Sequence, residues 1–244
     1  MSKKYYFFHG LFGHISDWDE FITGFEFSRG SLNYEKISLP GHGNFLFKDH
    51  PELKQATSFE EACSLYLPLF TQGNKNILVG YSMGGRIALY LFLTYPHLFS
   101  ELILLSSSVG IKDLKEREKR RKSDELLFNE SMQLKEFLPR WYEMPLFSNY
   151  KSMPSFSQHL QRKIERHIES EIIQCSRLMG AGMMPYLGNY LEGKKITYYY
   201  GEKDHKYKQL ANDLPFKKKI SIPESTHQLL FEHDWINYFQ EKTP

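Results

Sequence analysis

The chain has 244 residues, 41% hydrophobic and 25% charged, ordinary globular values at a length that suits one large core better than two. Its formal net charge of +2 excludes the global field that would hold a polyanion such as nucleic acid. No apolar run approaches the roughly 20 residues that cross a bilayer, and Cys63 and Cys175 are too few, and wrongly spaced, for a disulfide framework or a C-x-x-C site.

The opening Met1-Ser2-Lys3-Lys4-Tyr5 leads into a strand-like run too short for a secretory signal, which predicts a cytoplasmic protein without membrane insertion. That run, Tyr5-Tyr6-Phe7-Phe8, stops at His9-Gly10, as a buried strand ending in a turn does. Further strands are predicted at Tyr34 to Leu39, Asn76 to Gly80, Glu101 to Ser106, Lys195 to Tyr200 and Lys217 to Ile222. Helices are predicted at Phe59 to Phe70, Gly85 to Tyr95 and Trp235 to Glu241. Strands alternating with helices imply an α/β fold with a mostly parallel, doubly wound sheet and a ligand site at the carboxyl ends of the strands. Between about 107 and 192 the alternation breaks. This stretch reads as helices punctuated by Pro139, Pro145, Pro154 and Pro185, and predicts a helical cap inserted between core segments 1–106 and 193–244. Most of the 19 Phe and 16 Tyr are expected to fill the core, with some left to line a pocket.

The strand run Ile77-Leu78-Val79, the turn Gly80-Tyr81-Ser82-Met83-Gly84-Gly85 and the helical run from Arg86 make a G-x-S-x-G motif in the context its chemistry needs. A serine at so sharp a turn requires glycine two positions to either side, because side chains there would strike the strand and the helix. A chance match in a loop would lack those flanks. Serine is a poor nucleophile or base until a histidine takes its proton and a carboxylate orients that histidine. In the chain order Ser, acid, His, the partners are Asp204, just past the strand that ends in Gly201, and His227, in the loop before the last helix. Glu202 is the competing acid, nearer the strand and better suited to a local pairing. Among ten histidines, His205 and His233 lie close to the chosen pair but lack its strand-end placement. The backbone N–H groups of Met83 and Leu11 are the candidate oxyanion hole, Leu11 belonging to the loop His9-Gly10-Leu11-Phe12-Gly13. Leu39-Pro40-Gly41-His42-Gly43 is given a structural role.

Together, His9-Gly10, Leu39-Pro40-Gly41-His42-Gly43, the Ser82 turn, Gly201-Glu202-Lys203-Asp204 and His227 resemble the α/β-hydrolase superfamily across the chain. A narrower resemblance is to 2-succinyl-6-hydroxy-2,4-cyclohexadiene-1-carboxylate synthases of menaquinone biosynthesis. It rests on Gly80 to Arg86, on the helix ending Arg120-Arg121-Lys122-Ser123-Asp124, and on Trp141-Tyr142 followed by Pro145-Leu146-Phe147. That resemblance implies a cofactor-independent, metal-free lyase that eliminates pyruvate from a small polycarboxylate. Arg86, Arg120 and Arg162 would then bind carboxylates, with Lys163 or Arg166 as alternatives to Arg162, and Tyr81 and Trp141 would pack on the substrate ring. Lys112 to Lys122 carries seven basic and three acidic residues; helical spacing puts Arg117, Arg120 and Asp124 on one face, the alternative being a merely solvated face. A carboxylesterase using the same three residues, or an inactive binding protein, are the rival functions. Two departures from the family pattern are visible. Thr226 stands where a glycine often precedes the histidine and must adopt that geometry unaided, and the chain opens directly on its Tyr5 strand, which predicts a small sheet.

Overall fold

The computed structural model describes residues 3–70 and 75–241; Met1 and Ser2 of the opening stretch lie outside the described residues. Six strands form one sheet: β1 (Lys3–Phe8), β2 (Tyr34–Ile37), β3 (Lys75–Tyr81), β4 (Phe99–Leu105), β5 (Ile196–Gly201) and β6 (Lys218–Ile222), in the order β2-β1-β3-β4-β5-β6. Every neighbouring pair is parallel. The core helices are α1 (Asp19–Arg29), α2 (Pro51–Gln55), α3 (Phe59–Ser64) and α4 (Met83–Thr94). Between β4 and β5 lie α5 (Leu114–Leu127), α6 (Leu134–Trp141), α7 (Ser148–Lys151), α8 (Phe156–Arg166) and α9 (Glu169–Met179), with no strand among the described residues there. After β5 come α10 (His205–Asp213), α11 (Leu229–Glu232) and α12 (Trp235–Glu241). None of the described helices is long and apolar enough to cross a membrane.

Burial on both faces explains why the central strands β1, β3, β4 and β5 read as largely apolar runs rather than as alternations, while the edge strands β2 and β6 are mixed and more open to solvent. Tyr6, Phe8, Leu78, Leu102, Leu104 and Tyr198 point to one face and pack with Phe59 of α3 and Ile87 and Leu91 of α4. Tyr5, Phe7, Ile77, Val79, Ile103 and Leu105 point to the other, against Phe21 and Phe25 of α1 and Trp235 and Phe239 of α12. A third cluster belongs to the helical segment, where Phe128, Leu134, Phe137, Leu138, Tyr142, Phe147, Tyr150, Ile172 and Ile173 enclose Phe12 from the core.

Two core helices absent from the sequence prediction have physical explanations. In α1, Gly24 weakens the helical signal, yet a Cβ there would lie 2.3 Å from the Trp235 carbonyl oxygen, so glycine is what lets α1 seat on α12. Helix α10 is polar along most of its length and starts on Asp204, whose Oδ1 accepts the Tyr207 N–H at 3.2 Å. The helix predicted over Phe59 to Phe70 ends at Ser64 and resumes as a short 3₁₀ turn at Leu67–Leu69, broken by Pro68.

Between β1 and β3 the strand order reverses, opening a crevice beyond their carboxyl ends. The Leu11 loop leaves β1 and the Ser82 turn leaves β3 at that crevice. The chain's other strand-end loops, carrying Asp204 after β5 and His227 after β6, reach the same edge.

Candidate active site

Ser82 stands between β3 and α4 with φ 50° and ψ −111°, a left-handed backbone that costs a side-chain-bearing residue energy and that its surroundings must hold. The Ser82 N–H bonds the Leu105 carbonyl at 3.0 Å, and Ser107 Oγ donates to the Ser82 carbonyl at 2.9 Å. The flanking glycines permit contacts no other residue could: a Cβ on Gly80 would sit 2.5 Å from Gly85 Cα, and one on Gly84 2.3 Å from the His9 carbonyl oxygen.

Ser82 Oγ lies 3.0 Å from His227 Nε2, and His227 Nδ1 lies 3.2 Å from Asp204 Oδ2. One Asp204 carboxylate thus serves two partners, His227 through Oδ2 and the α10 N-terminus through Oδ1. His227 is 4% exposed and Asp204 3%; burial lowers the imidazole below its usual 6.5, and the Asp204 carboxylate opposes that shift. At neutral pH the imidazole is therefore uncharged and able to accept the Ser82 proton. Its ring stacks on Tyr207 with centroids 4.9 Å apart and meets Phe147 edge-on. Thr226 is not left unaided. Its N–H and its hydroxyl both bond the Glu232 carboxylate, and the left-handed residue of this loop is Glu224, at φ 57°. Glu202 accepts the Glu224 N–H and takes no part in the Ser82 group.

The cavity over Ser82, about 340 Å³, is walled by both parts of the molecule: Leu11, Tyr81, Met83, Arg86 and His227 from the core, and Arg120, Asp124, Trp141 and Phe147 from the helical segment. Met83 opens α4, where the first N–H groups have no intrahelical acceptor and face outward from the helix end. Arg120 Nε bonds both Asp124 oxygens, at 2.8 and 2.9 Å, so the i,i+4 face read from sequence holds a preformed ion pair at the cavity wall. Arg117, on the same face, is spent on the Gly182 and Met183 carbonyls. Trp141 packs among Phe12, Phe128, Phe137 and Phe147 at the cavity edge. Tyr81 lines the cavity, but its hydroxyl is engaged, 3.1 Å from the His227 carbonyl and 2.9 Å from Gln228 Oε1, so it holds the His227 loop. Arg86 is buried, donates to the Met179 carbonyl at 2.9 Å, and leaves its Nε unpaired among the described residues; burial lowers its guanidinium to about 10.

Arg162 requires a correction. With Lys163 and Arg166 it lines a different cavity, of about 340 Å³, between the stretch 14–20 and α8, and none of the three reaches the Ser82 cavity. The family resemblance gave Arg162, or Lys163 or Arg166 in its place, but the docking of α8 turns these side chains toward residues 14–20. The sequence also missed Lys206, Tyr207 and Gln228, all lining the Ser82 cavity. Each lies within three residues of Asp204 or His227, so their signal in the sequence is adjacency to those two motifs.

Known proteins resemble this chain in both sequence and fold. Residues 65–234 match the alpha/beta hydrolase fold family. Protein PHYLLO, chloroplastic, of Arabidopsis thaliana is 28% identical over 93% of this chain, which spans only 14% of that much longer protein. A putative 2-succinyl-6-hydroxy-2,4-cyclohexadiene-1-carboxylate synthase of Haemophilus influenzae is 28% identical over 97% of this chain and 94% of its own length. The solved structure of MenH from S. aureus superposes with a TM-score of 0.81 at 26% identity, covering 99% of this chain and 94% of that one. With the six-stranded parallel sheet, the Ser82 turn after β3 and that family match, the chain belongs to the alpha/beta hydrolase fold family and is an enzyme of that superfamily.

Proposed function

We propose that this enzyme is a carbon–oxygen lyase of menaquinone biosynthesis. It would eliminate pyruvate from 2-succinyl-5-enolpyruvyl-6-hydroxy-3-cyclohexene-1-carboxylate to give 2-succinyl-6-hydroxy-2,4-cyclohexadiene-1-carboxylate. The observation that carries this reading is the meeting, in one cavity, of the hydrogen-bonded Ser82–His227–Asp204 group with Arg120 from the helical segment. The Haemophilus and S. aureus relatives support the same reading by their names.

In this mechanism neutral His227, oriented by Asp204, takes the Ser82 proton, and the Ser82 oxygen removes a substrate proton alpha to the succinyl carbonyl. The electron pair left on C2 forms the C2=C3 double bond, and the displaced C3=C4 pair moves to C4=C5 and breaks the bond from C5 to the enolpyruvyl oxygen, a 1,4-elimination. The departing enolpyruvate gains a proton and becomes pyruvate. Charge that develops on the carbonyl oxygen is held by the Leu11 and Met83 N–H groups. Arg120 and Lys206, both lining the cavity, supply cations for the substrate carboxylates, and Trp141 offers an apolar face to the ring. The chemistry needs neither metal nor cofactor.

The test is a coupled assay for pyruvate release from the enolpyruvyl precursor, run beside hydrolysis of a nitrophenyl ester, for the wild type and Ser82→Ala. Pyruvate release that the alanine variant loses while keeping its fold is the expected result. Ester turnover without pyruvate release would make the enzyme a carboxylesterase. Absence of both, together with no covalent labelling of Ser82 by a fluorophosphonate, would make it a binding protein.

A further inference from the structure

Lys163 is 7% exposed on α8, where its neighbours Arg162 and Arg166 are far more open to solvent. Its Nζ does not face the Ser82 cavity; it donates at 2.8 Å to the carbonyl of Phe12, on the loop that follows β1. Phe12 is one residue beyond Leu11 and has φ 57°, a left-handed backbone without the freedom of glycine. Its surroundings hold it from three sides. The Phe12 N–H donates to His42 Nε2 at 3.1 Å, and His42 Nδ1 bonds the Pro40 carbonyl, which assigns the acceptor nitrogen. The Phe12 ring sits in the helical segment against Phe137 and Trp141, at 6.0 and 5.8 Å between centroids. The carbonyl has the Lys163 ammonium, which also lies 5.1 Å from the Phe231 ring centroid and feels the charges of Asp17 and Arg166.

We propose that Lys163 is a positioning residue for the oxyanion hole: its ammonium, reaching from α8 onto the Phe12 carbonyl, locks the Phe12 turn and thereby aims the Leu11 N–H at the Ser82 site. The proposal rests on the reading of Leu11 and Met83 as oxyanion donors, and it gives the segment between β4 and β5 a part in catalysis beyond walling the cavity. Without the ammonium, Phe12 relaxes toward the ordinary negative φ, which rotates the Leu11–Phe12 peptide and, through the Leu11 backbone, displaces the Leu11 N–H. A displacement on the order of 1 Å in a catalytic group can cost about a hundredfold in rate, and loss of an entire oxyanion donor about a hundredfold to a thousandfold. Lys163 touches neither substrate nor Ser82 in this arrangement, so substrate affinity is set elsewhere.

The experiment compares wild type, Lys163→Met and Lys163→Arg by the second-order rate of fluorophosphonate labelling of Ser82 and by kcat and KM for pyruvate release. Each is read at least 10 °C below that variant's melting midpoint, an interval of roughly the size several kcal/mol shifts a midpoint. Lys163→Met is expected to lower both the labelling rate and kcat by about 10- to 100-fold with KM within about twofold. Lys163→Arg, which keeps a cation of similar reach, recovers most of the loss. Labelling of Lys163→Met at the wild-type rate would overturn the proposal, as would a raised KM at unchanged kcat, or an arginine variant as slow as the methionine one. Should Lys163→Met not fold, Lys163→Gln repeats the measurement with a shorter, neutral stem, and a wild-type labelling rate there overturns the proposal equally. Labelling does not depend on the natural substrate. An enzyme that labels, slows in Lys163→Met and releases no pyruvate leaves this proposal standing while the lyase reading falls.

Discussion

Gly84→Ala sets two effects of known size against each other. Gly84 lies in the first turn of α4, and alanine there improves helix propensity by at most about 1 kcal/mol. The same Cβ would lie 2.3 Å from the His9 carbonyl oxygen and 2.4 Å from that of Phe8, where ordinary contact begins at 3.4 Å, so α4 and the end of β1 must part by about 1 Å. Both neighbours are backbone, with no flexible side chain to swing aside, and the Gly84 N–H is bonded to the same His9 carbonyl at 3.0 Å. Overpacking of this kind costs about 1–3 kcal/mol, so it outweighs the propensity gain. A melting midpoint lowered by roughly 2–8 °C follows for a chain of this length. The effect on turnover is larger, because the parting separates the Leu11 loop after β1 from the Met83 N–H on α4; a loss of about a hundredfold in kcat is expected. Scanning calorimetry and fluorophosphonate labelling of Ser82 measure the two effects separately. A Gly84→Ala variant with the wild-type midpoint and a labelling rate within twofold would refute the close-packing argument for this glycine.

Other expectations concern charge and protonation. Arg120→Ala should raise KM for the polycarboxylate substrate by about tenfold or more, the scale of one lost charged hydrogen bond, and leave nitrophenyl ester hydrolysis nearly unchanged; unaltered KM would remove Arg120 from the site. Arg162→Gln should leave both constants within about twofold, since its cavity is separate from that of Ser82, and a clear rise in KM would restore it as a ligand of the substrate. Because burial holds His227 below 6.5, turnover should climb as pH rises and reach half its plateau below 6.5; a midpoint above 7 would refute the burial argument. His9 and His167, lowered to about 4 by burial, favour the neutral form in the folded chain, so their stabilisation is complete above pH 6.5 and is lost as pH falls toward 4. Each contributes a slope on the order of 1 kcal/mol per pH unit in that window, and a urea midpoint flat from pH 7 to 4.5 would contradict it.

Local chemistry wrote much of this protein into its sequence. The central strands β1, β3, β4 and β5 were legible because burial on both faces makes them largely apolar runs, the mixed edge strands β2 and β6 because they continue the strand–helix alternation, and the Ser82 turn because no residue but glycine fits at positions 80 and 84. Chain order and strand-end placement singled out Asp204 and His227 from many carboxylates and ten histidines, and the structure brings both to Ser82. The Arg120–Asp124 pair follows from i,i+4 spacing alone. Helix α1 stayed hidden because its central glycine is justified only by α12, more than 200 residues away in sequence. Thr226 looked unsupported because Glu232, which holds it, lies beyond the motif. Most plainly, the family resemblance could name Arg162, with Lys163 or Arg166 as alternatives, but not what α8 faces. A helix's periodicity is a property of its own backbone, whereas the direction its face looks is decided by packing, and packing turned Lys163 away from the substrate cavity and onto the Phe12 carbonyl.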